Sequence, residues 1–205
     1  MFHHLDPLTV RAAFPDAADV FLATVSAVPA DRWEEPGLGE WTVRELTGHA
    51  LRSFSTLRRL CDTTADSPVV VDSAPAYYQA VARIPGVRVG AAERGREAGA
   101  ALVDPMATVR MVAEQALARL AATPDEHVGE TFVGPMRLAD YLPTRVVEVA
   151  LHTLDLQAAI GQPLLLPASP ANVTLGVLAE LADLPVLLLA MTGRQALPTG
   201  FNVIA

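Results

Sequence analysis

Four polar residues interrupt an aliphatic run near position 150: Arg145, Glu148, His152 and Asp155. Their spacings of three, four and three place them on one stripe of an α-helix. Val146, Val147, Val149, Ala150, Leu151 and Leu154 make that helix apolar nearly all round, and such a helix is buried. Buried charge is costly unless it is paired, neutralised or bound to a metal. Glu148 and His152, four apart, can aim a carboxylate oxygen and an imidazole nitrogen at one point. Two ligands rarely hold a catalytic ion, so a third must come from another helix. His49, three residues after Leu46 on the core side of its own helix, is the candidate. Two histidines and a glutamate suit zinc and leave a position open for water, thiol or substrate. Nickel, iron and manganese are alternatives that residue types do not separate.

Arg145 and Asp155 are supporting candidates for catalysis. Arg145 can orient Glu148 or hold a substrate carboxylate. Asp155, one turn beyond His152, can accept an imidazole N–H. The spacing equally allows an Arg145–Glu148 ion pair on a solvated face, a core His152 bonded to a carbonyl, and a structural His49. His3, His4 and His127 lie in terminal or loop contexts and receive no role.

The elements that must position these residues are helical. Apolar residues at Phe14, Ala17, Ala18, Phe21, Leu22 and Val25 give an amphipathic face over residues 10–28. Prolines and glycines make 29–40 a connection. Thr42 and Glu45 form a capping box for a helix running to about Cys61. Asp72-Ser73-Ala74-Pro75 starts a helix that Pro85-Gly86 ends, and 91–102 is helical again. Asp104-Pro105 opens a helix to about Ala122, and 123–136 reads as a loop. A helix over 138–160, bent or restarted at Pro143, ends at Gly161 and Pro163. A last helical region runs from Ser169 to about Leu189 with a break at Pro185, and the tail from Thr192 is irregular. No strand alternation stands out. The expectation is one all-α domain over 1–205, an antiparallel four-helix bundle with its core at about 8–161 and a C-terminal helical extension and tail at about 169–205.

Hydrophobic residues make up 51% and charged residues 19%, too apolar for disorder outside short segments. A net charge of −8 speaks against nucleic acid or anionic membrane as partner. The single cysteine, Cys61, reads as a small buried hydrophobe, excludes an intrachain disulfide and fits a reducing cytoplasm. The first residues show no basic region followed by an apolar core, so no signal peptide is expected. The most apolar window, 184–192, is too short to span a bilayer. A soluble cytoplasmic protein acting on a small molecule is expected, with a bundle face broad enough for a homodimer. Arg83, Arg88, Arg94 and Arg96 form a basic cluster. It is a solvated face, or an attractor of anions where it overhangs the metal end. Arg194 can fold back toward the bundle mouth, and Trp41 packs where the capped helix begins.

The segment from Trp41 to His49, Trp-Thr-Val-Arg-Glu-Leu-Thr-Gly-His, resembles the W-[ST]-V-x-x-L-x-x-H motif of the DinB-like family. Arg145 to Leu156 is similar to the R-x-x-E-x-x-x-H-x-x-D-L block of its mycothiol-dependent maleylpyruvate isomerase branch. Leu189 to Arg194 resembles that branch's L-x-x-T-G-R ending. The resemblance implies a four-helix bundle with a divalent metal near one end, held by His49, Glu148 and His152. It also implies a low-molecular-weight thiol such as mycothiol as cosubstrate. The thiol is transferred to a small electrophile, or adds to it and leaves again after bond rotation, an isomerisation. A metal-dependent hydrolase with water in the open position, and a non-catalytic metal-binding bundle, are the alternatives.

Overall fold

The computed structural model of the protein describes residues 6–204. Helix α1 (Pro7–Ser26) begins where the Asp6 carboxylate accepts the Thr9 amide, with Pro7 at a position whose missing N–H has no partner to lose. Helix α2 (Val43–Asp62) opens with the expected capping box. The Thr42 hydroxyl accepts the Glu45 amide at 3.2 Å, and the Glu45 carboxylate accepts the Thr42 amide at 2.9 Å. Ser73 and Asp104 cap α3 (Ala74–Ala82) and α5 (Pro105–Ala122) in the same sense. Helix α4 (Val87–Ala100) starts earlier than Ala91, directly after left-handed Gly86.

Helix α6 (Leu138–Ala159) runs unbroken through Pro143. That proline sits in the second turn and forgoes only the backbone bond to Ala139, so burial of the helix outweighs the loss. The last helical region is two helices, α7 (Ala168–Leu181) and α8 (Leu184–Met191). The break falls before Pro185, because Asp183 caps a new helix in which Pro185 occupies the first turn.

The fold is all-α, and α1, α2, α5 and α6 form its bundle. Helix α6 packs on α1 and α2, and α5 packs on the other side of the same pair. Phe54 of α2 meets Phe14 and Phe21 of α1 with ring centroids 5.4 and 5.7 Å apart. All three rings are fully buried, each contributing roughly 1.5–3 kcal/mol of transfer free energy. Helix α4 lies against α2 at a glycine crossing. A Cβ on Gly48 would sit 2.6 Å from the Ala98 carbonyl carbon, and one on Gly99 would sit 2.7 Å from Glu45 Cα. Only glycine lets these backbones approach so closely. Helix α7 packs on α6 and α1, and α8 packs on α7.

The segment expected as a loop at 123–136 contains an antiparallel hairpin, β1 (Val128–Thr131) and β2 (Gly134–Arg137). Thr131 pairs with Gly134, so Phe132 and Val133 form its tip. Four-residue strands holding Gly129 and Pro135 are too short to show alternation. Strand β1 lies on the end of α2, where His127 Nε2 is within 3.1 and 2.9 Å of the Leu60 and Thr63 carbonyl oxygens. No helix among the described residues is long and apolar enough to cross a membrane.

Candidate metal centre

The polar stripe of α6 faces α2, and this packing brings His49 to Glu148 and His152. Each offers one ligand atom, and these atoms all lie within 4.8 Å of one another. The two imidazoles stand perpendicular, with centroids 4.8 Å apart and planes at 88°. His152 Nε2 is 3.6 Å from Glu148 Oε2, and its Nδ1 is 3.0 Å from Asp155 Oδ2. Asp155 thereby fixes the ring, with Nδ1–H as donor and Nε2 turned toward the glutamate.

Burial alone would lower the pKa of His152, but its hydrogen bonds to Asp155 and Glu148 outweigh this and hold it up at about 9. Nε2 becomes a ligand only on giving up its proton. Burial would raise Glu148, yet the His152 hydrogen bond and the Arg145 charge bring it down to about 2. His49 is pushed down to about 4, first by burial and then by the charge of His152. It is a neutral imidazole, and its Nδ1 is buried without a hydrogen-bond partner. A neutral imidazole with an orphaned buried nitrogen, a carboxylate and a second imidazole oriented by an acid fit a divalent cation.

The stripe's other members are placed as follows. Arg145 is buried, but it does not bond Glu148 as an ion pair on a solvated face would require. Its Nε donates to Thr144 Oγ1 at 3.0 Å and its Nη1 to Thr56 Oγ1 at 3.2 Å. Its guanidinium lies over Tyr141 at 4.7 Å and Tyr77 at 5.6 Å. Trp41, expected to pack where α2 begins, also covers His49 with ring centroids 4.3 Å apart and donates Nε1–H to the Ala92 carbonyl at 3.1 Å. Tyr78, which sequence reasoning missed, is within 3.1 Å of Glu148 Oε1 and 3.2 Å of the Thr144 carbonyl. Burial raises its pKa well above the usual phenol range, so it acts as a donor. No spacing rule connects position 78 to position 148.

A cavity of about 310 Å³ opens onto this centre, with His49, Glu148, Arg52, Arg94, Arg145 and Tyr77 in its walls. Phe132 of the hairpin tip and Ile204 of the tail also line it. The basic cluster divides. Arg94 lines the cavity and lies over Phe132 at 5.6 Å, Arg96 pairs with Glu40 at 3.0 Å, and Arg83 is exposed. The Arg88 side chain, like His3 and His4, lies outside the described residues. Arg194 is exposed, and it is Ile204 rather than Arg194 that returns to the cavity. Cys61 is buried, and burial raises its pKa, so the chain's own thiol is not a ready nucleophile.

A helical bundle with two histidines and a glutamate converging beside a cavity defines a DinB-like domain with a candidate metal centre. The chain belongs to the mycothiol maleylpyruvate isomerase N-terminal domain family, whose model matches residues 14–157. Two crystal structures share the fold. One is of the mycothiol-dependent maleylpyruvate isomerase, at 21% identity and a TM-score of 0.58, covering 87% of this chain and 70% of that one. The other is of a histidine-to-alanine mutant of that isomerase, at 20% identity and 0.53, with the same coverage. Among curated proteins none matches the chain.

Proposed function

We propose that this chain is a divalent-metal-dependent enzyme, with zinc as the first choice of metal. It activates a low-molecular-weight thiol, mycothiol by family membership, toward a small electrophile. The observation that carries the reading is the convergence of His49, Glu148 and His152 within 4.8 Å, with His49 and Glu148 in the wall of an arginine-lined cavity. His49, Glu148 and His152 would hold the cation, which would supply the charge that lowers the pKa of a bound thiol. Asp155 keeps His152 in the orientation a ligand needs, and the Tyr78 hydroxyl steadies Glu148. Arg52, Arg94 and Arg145 face the cavity and can hold the negative charge of a carboxylate or of an oxygen that gains charge as the thiolate adds. With Cys61 buried and raised in pKa, the thiol must come from a cosubstrate. Loss of the electrophile's leaving group gives a transferase. Bond rotation followed by expulsion of the same thiolate gives an isomerase.

The test is metal content of the purified protein by plasma mass spectrometry, alongside thiol consumption with a generic electrophile. The wild type should hold about one divalent ion per chain, as a three-ligand site requires, and should convert the electrophile only when thiol is present, consuming it as a transferase or returning it as an isomerase. His49→Ala and His152→Ala should keep their helical circular dichroism and lose both properties. Full metal content in both folded variants refutes the ligand set. Metal-dependent ester cleavage without any thiol refutes the thiol chemistry and leaves the ligand set standing.

A further inference from the structure

The cavity beside the candidate metal centre has two kinds of wall. Helix α2 presents Arg52 one turn beyond His49, so a group held by Arg52 lies beside the candidate ligands. Helix α4 presents Val87, Ala91 and Arg94, whose spacings of four and three make one stripe. Val81 of α3, Phe132 of the hairpin tip and Ile204 of the tail add to the apolar share. At about 310 Å³ the cavity is at the small end of ligand sites, and such sites combine an apolar lining with a few charged groups that fix orientation.

The charges of this wall are not spent within the protein. Among the described residues, the Arg52 guanidinium has no hydrogen-bonded or ion-paired partner. Burial, and after it the charge of Arg94, lowers its pKa, as for a cation short of a counterion. Arg94 has the Phe132 ring against its face at 5.6 Å and no ion-pair partner, so its in-plane N–H groups remain free. Arg145, by contrast, is taken up by Thr144, Thr56 and the Tyr141 ring. Two half-buried arginines without an ion-paired acid suit one planar anion, which a guanidinium grips through paired donors. A second negative charge is opposed by Glu130, which stands in the same wall. Phe132, 56% exposed, keeps ring surface open to an apolar group.

We propose that the ligand of this cavity, and so the electrophile, is an amphipathic monoanion: one carboxylate held by Arg52 and Arg94, with an apolar body lying against Phe132, Val81 and Val87. Equating this ligand with the electrophile rests on the function proposed above, whereas the binding site does not. Phe132 is the specificity-determining residue, because it backs Arg94 and meets the apolar body.

Isothermal titration calorimetry of the full chain with propanoate, butanoate, pentanoate and hexanoate tests this, with the protein as purified and again in chelator. Affinity should rise about two- to fourfold for each added methylene, the gain from burying it. Hexanamide and hexanedioate should each bind about tenfold more weakly than hexanoate, one lacking the charge and the other adding a second. Arg52→Gln should weaken all four carboxylates by about tenfold, the loss of a hydrogen bond to a charged acceptor. Phe132→Ala should flatten the rise with chain length and change propanoate binding least. Both variants should keep their helical circular dichroism, and if Arg52→Gln perturbs the fold, Arg94→Gln gives the same comparison. Hexanoate binding no tighter than propanoate overturns the proposal, as does hexanamide or hexanedioate matching hexanoate. So does carboxylate binding that disappears in chelator, which would place the anion on the metal alone, and so do variants that bind as the wild type does. The calorimetry contains no thiol, so the two readings fail separately. The expected binding in a protein without thiol chemistry removes the function and keeps the site, and thiol chemistry without this binding pattern removes the site alone.

Discussion

Replacing Gly48 by alanine tests how the roof of the site is held. The new Cβ would come within contact-breaking distance of the Gly99 amide nitrogen, 2.6 Å from the Ala98 carbonyl carbon and 2.8 Å from Gly99 Cα. These are backbone atoms of α4, so no side-chain rotation relieves them. The helices must separate by roughly 1 Å, and overpacking of this kind costs about 1–3 kcal/mol. Alanine recovers up to about 1 kcal/mol of helix propensity. With backbone as the obstacle the upper end applies, and the net loss is about 2 kcal/mol. For a chain of this size that lowers the melting temperature by roughly 4–8 °C.

Gly99→Ala should cost a similar amount, because its Cβ meets Glu45 Cα at 2.7 Å. The double variant should cost clearly less than the sum, since one separation accommodates both methyl groups. Gly90→Ala is the control. Its Cβ meets only the Arg94 guanidinium, a flexible end that can move aside, so its stability should hold or rise slightly. The assay is thermal and urea unfolding of the wild type and all four variants, with electrophile KM of the Gly48 and Gly99 variants as a second readout, because α4 carries Arg94. Unfolding of Gly48→Ala at or above the wild-type midpoint would refute the close crossing, and so would strict additivity in the double variant.

Asp155→Ala should weaken metal affinity by about 10–100-fold with the fold intact, measured by chelator competition; unchanged affinity would remove Asp155 from the centre. Tyr78→Phe should destabilise the metal-free protein by about 1.5–3 kcal/mol in urea unfolding, the scale of a hydrogen bond to a charged acceptor. The metal-free protein should be most stable near pH 6.5. His152 is raised to about 9, so its contribution is full below the unfolded value of 6.5 and is lost as pH climbs through 9. His49, depressed to about 4, contributes above 6.5 and loses that contribution as pH falls toward 4. Melting curves in chelator between pH 4 and 10 should fall on both flanks, and a plateau from 6.5 to 9.5 contradicts the His152 assignment. Arg145→Lys should raise the KM for an anionic electrophile, since an ammonium cannot donate to Thr144 and Thr56 while stacking on Tyr141.

The parts of this protein that sequence makes readable follow local rules. The Thr42–Glu45 box, the Asp104-Pro105 start and the Arg145–Asp155 stripe each depend on spacings of three or four residues along one helix. Their geometry appears in the fold as those spacings dictate. His49 was a candidate from its core-side position three residues after Leu46, but spacing sets no distance between two helices, and the family resemblance is what tied it to Glu148 and His152. Tyr78, Arg52 and Phe132 reach the cavity through tertiary packing alone, and no pattern announced them. The hairpin escaped because two four-residue strands carry less periodic signal than the glycine and proline within them. The three-apart spacing also allows an Arg145–Glu148 ion pair on a solvated face; instead the Arg145 guanidinium is buried on threonine hydroxyls and tyrosine faces that only the folded chain supplies, and acts on Glu148 through its charge.

Ile204 touches the cavity from a stretch that lies beyond residues 14–157. Its backbone amide bonds to nearby Asn202, and its side chain packs against the core. The candidate ligands stand on α2 and α6, while part of the cavity wall comes from residues beyond the bundle. Substituting Ile204 should therefore change which small molecules the cavity admits while leaving His49, Glu148 and His152 in place.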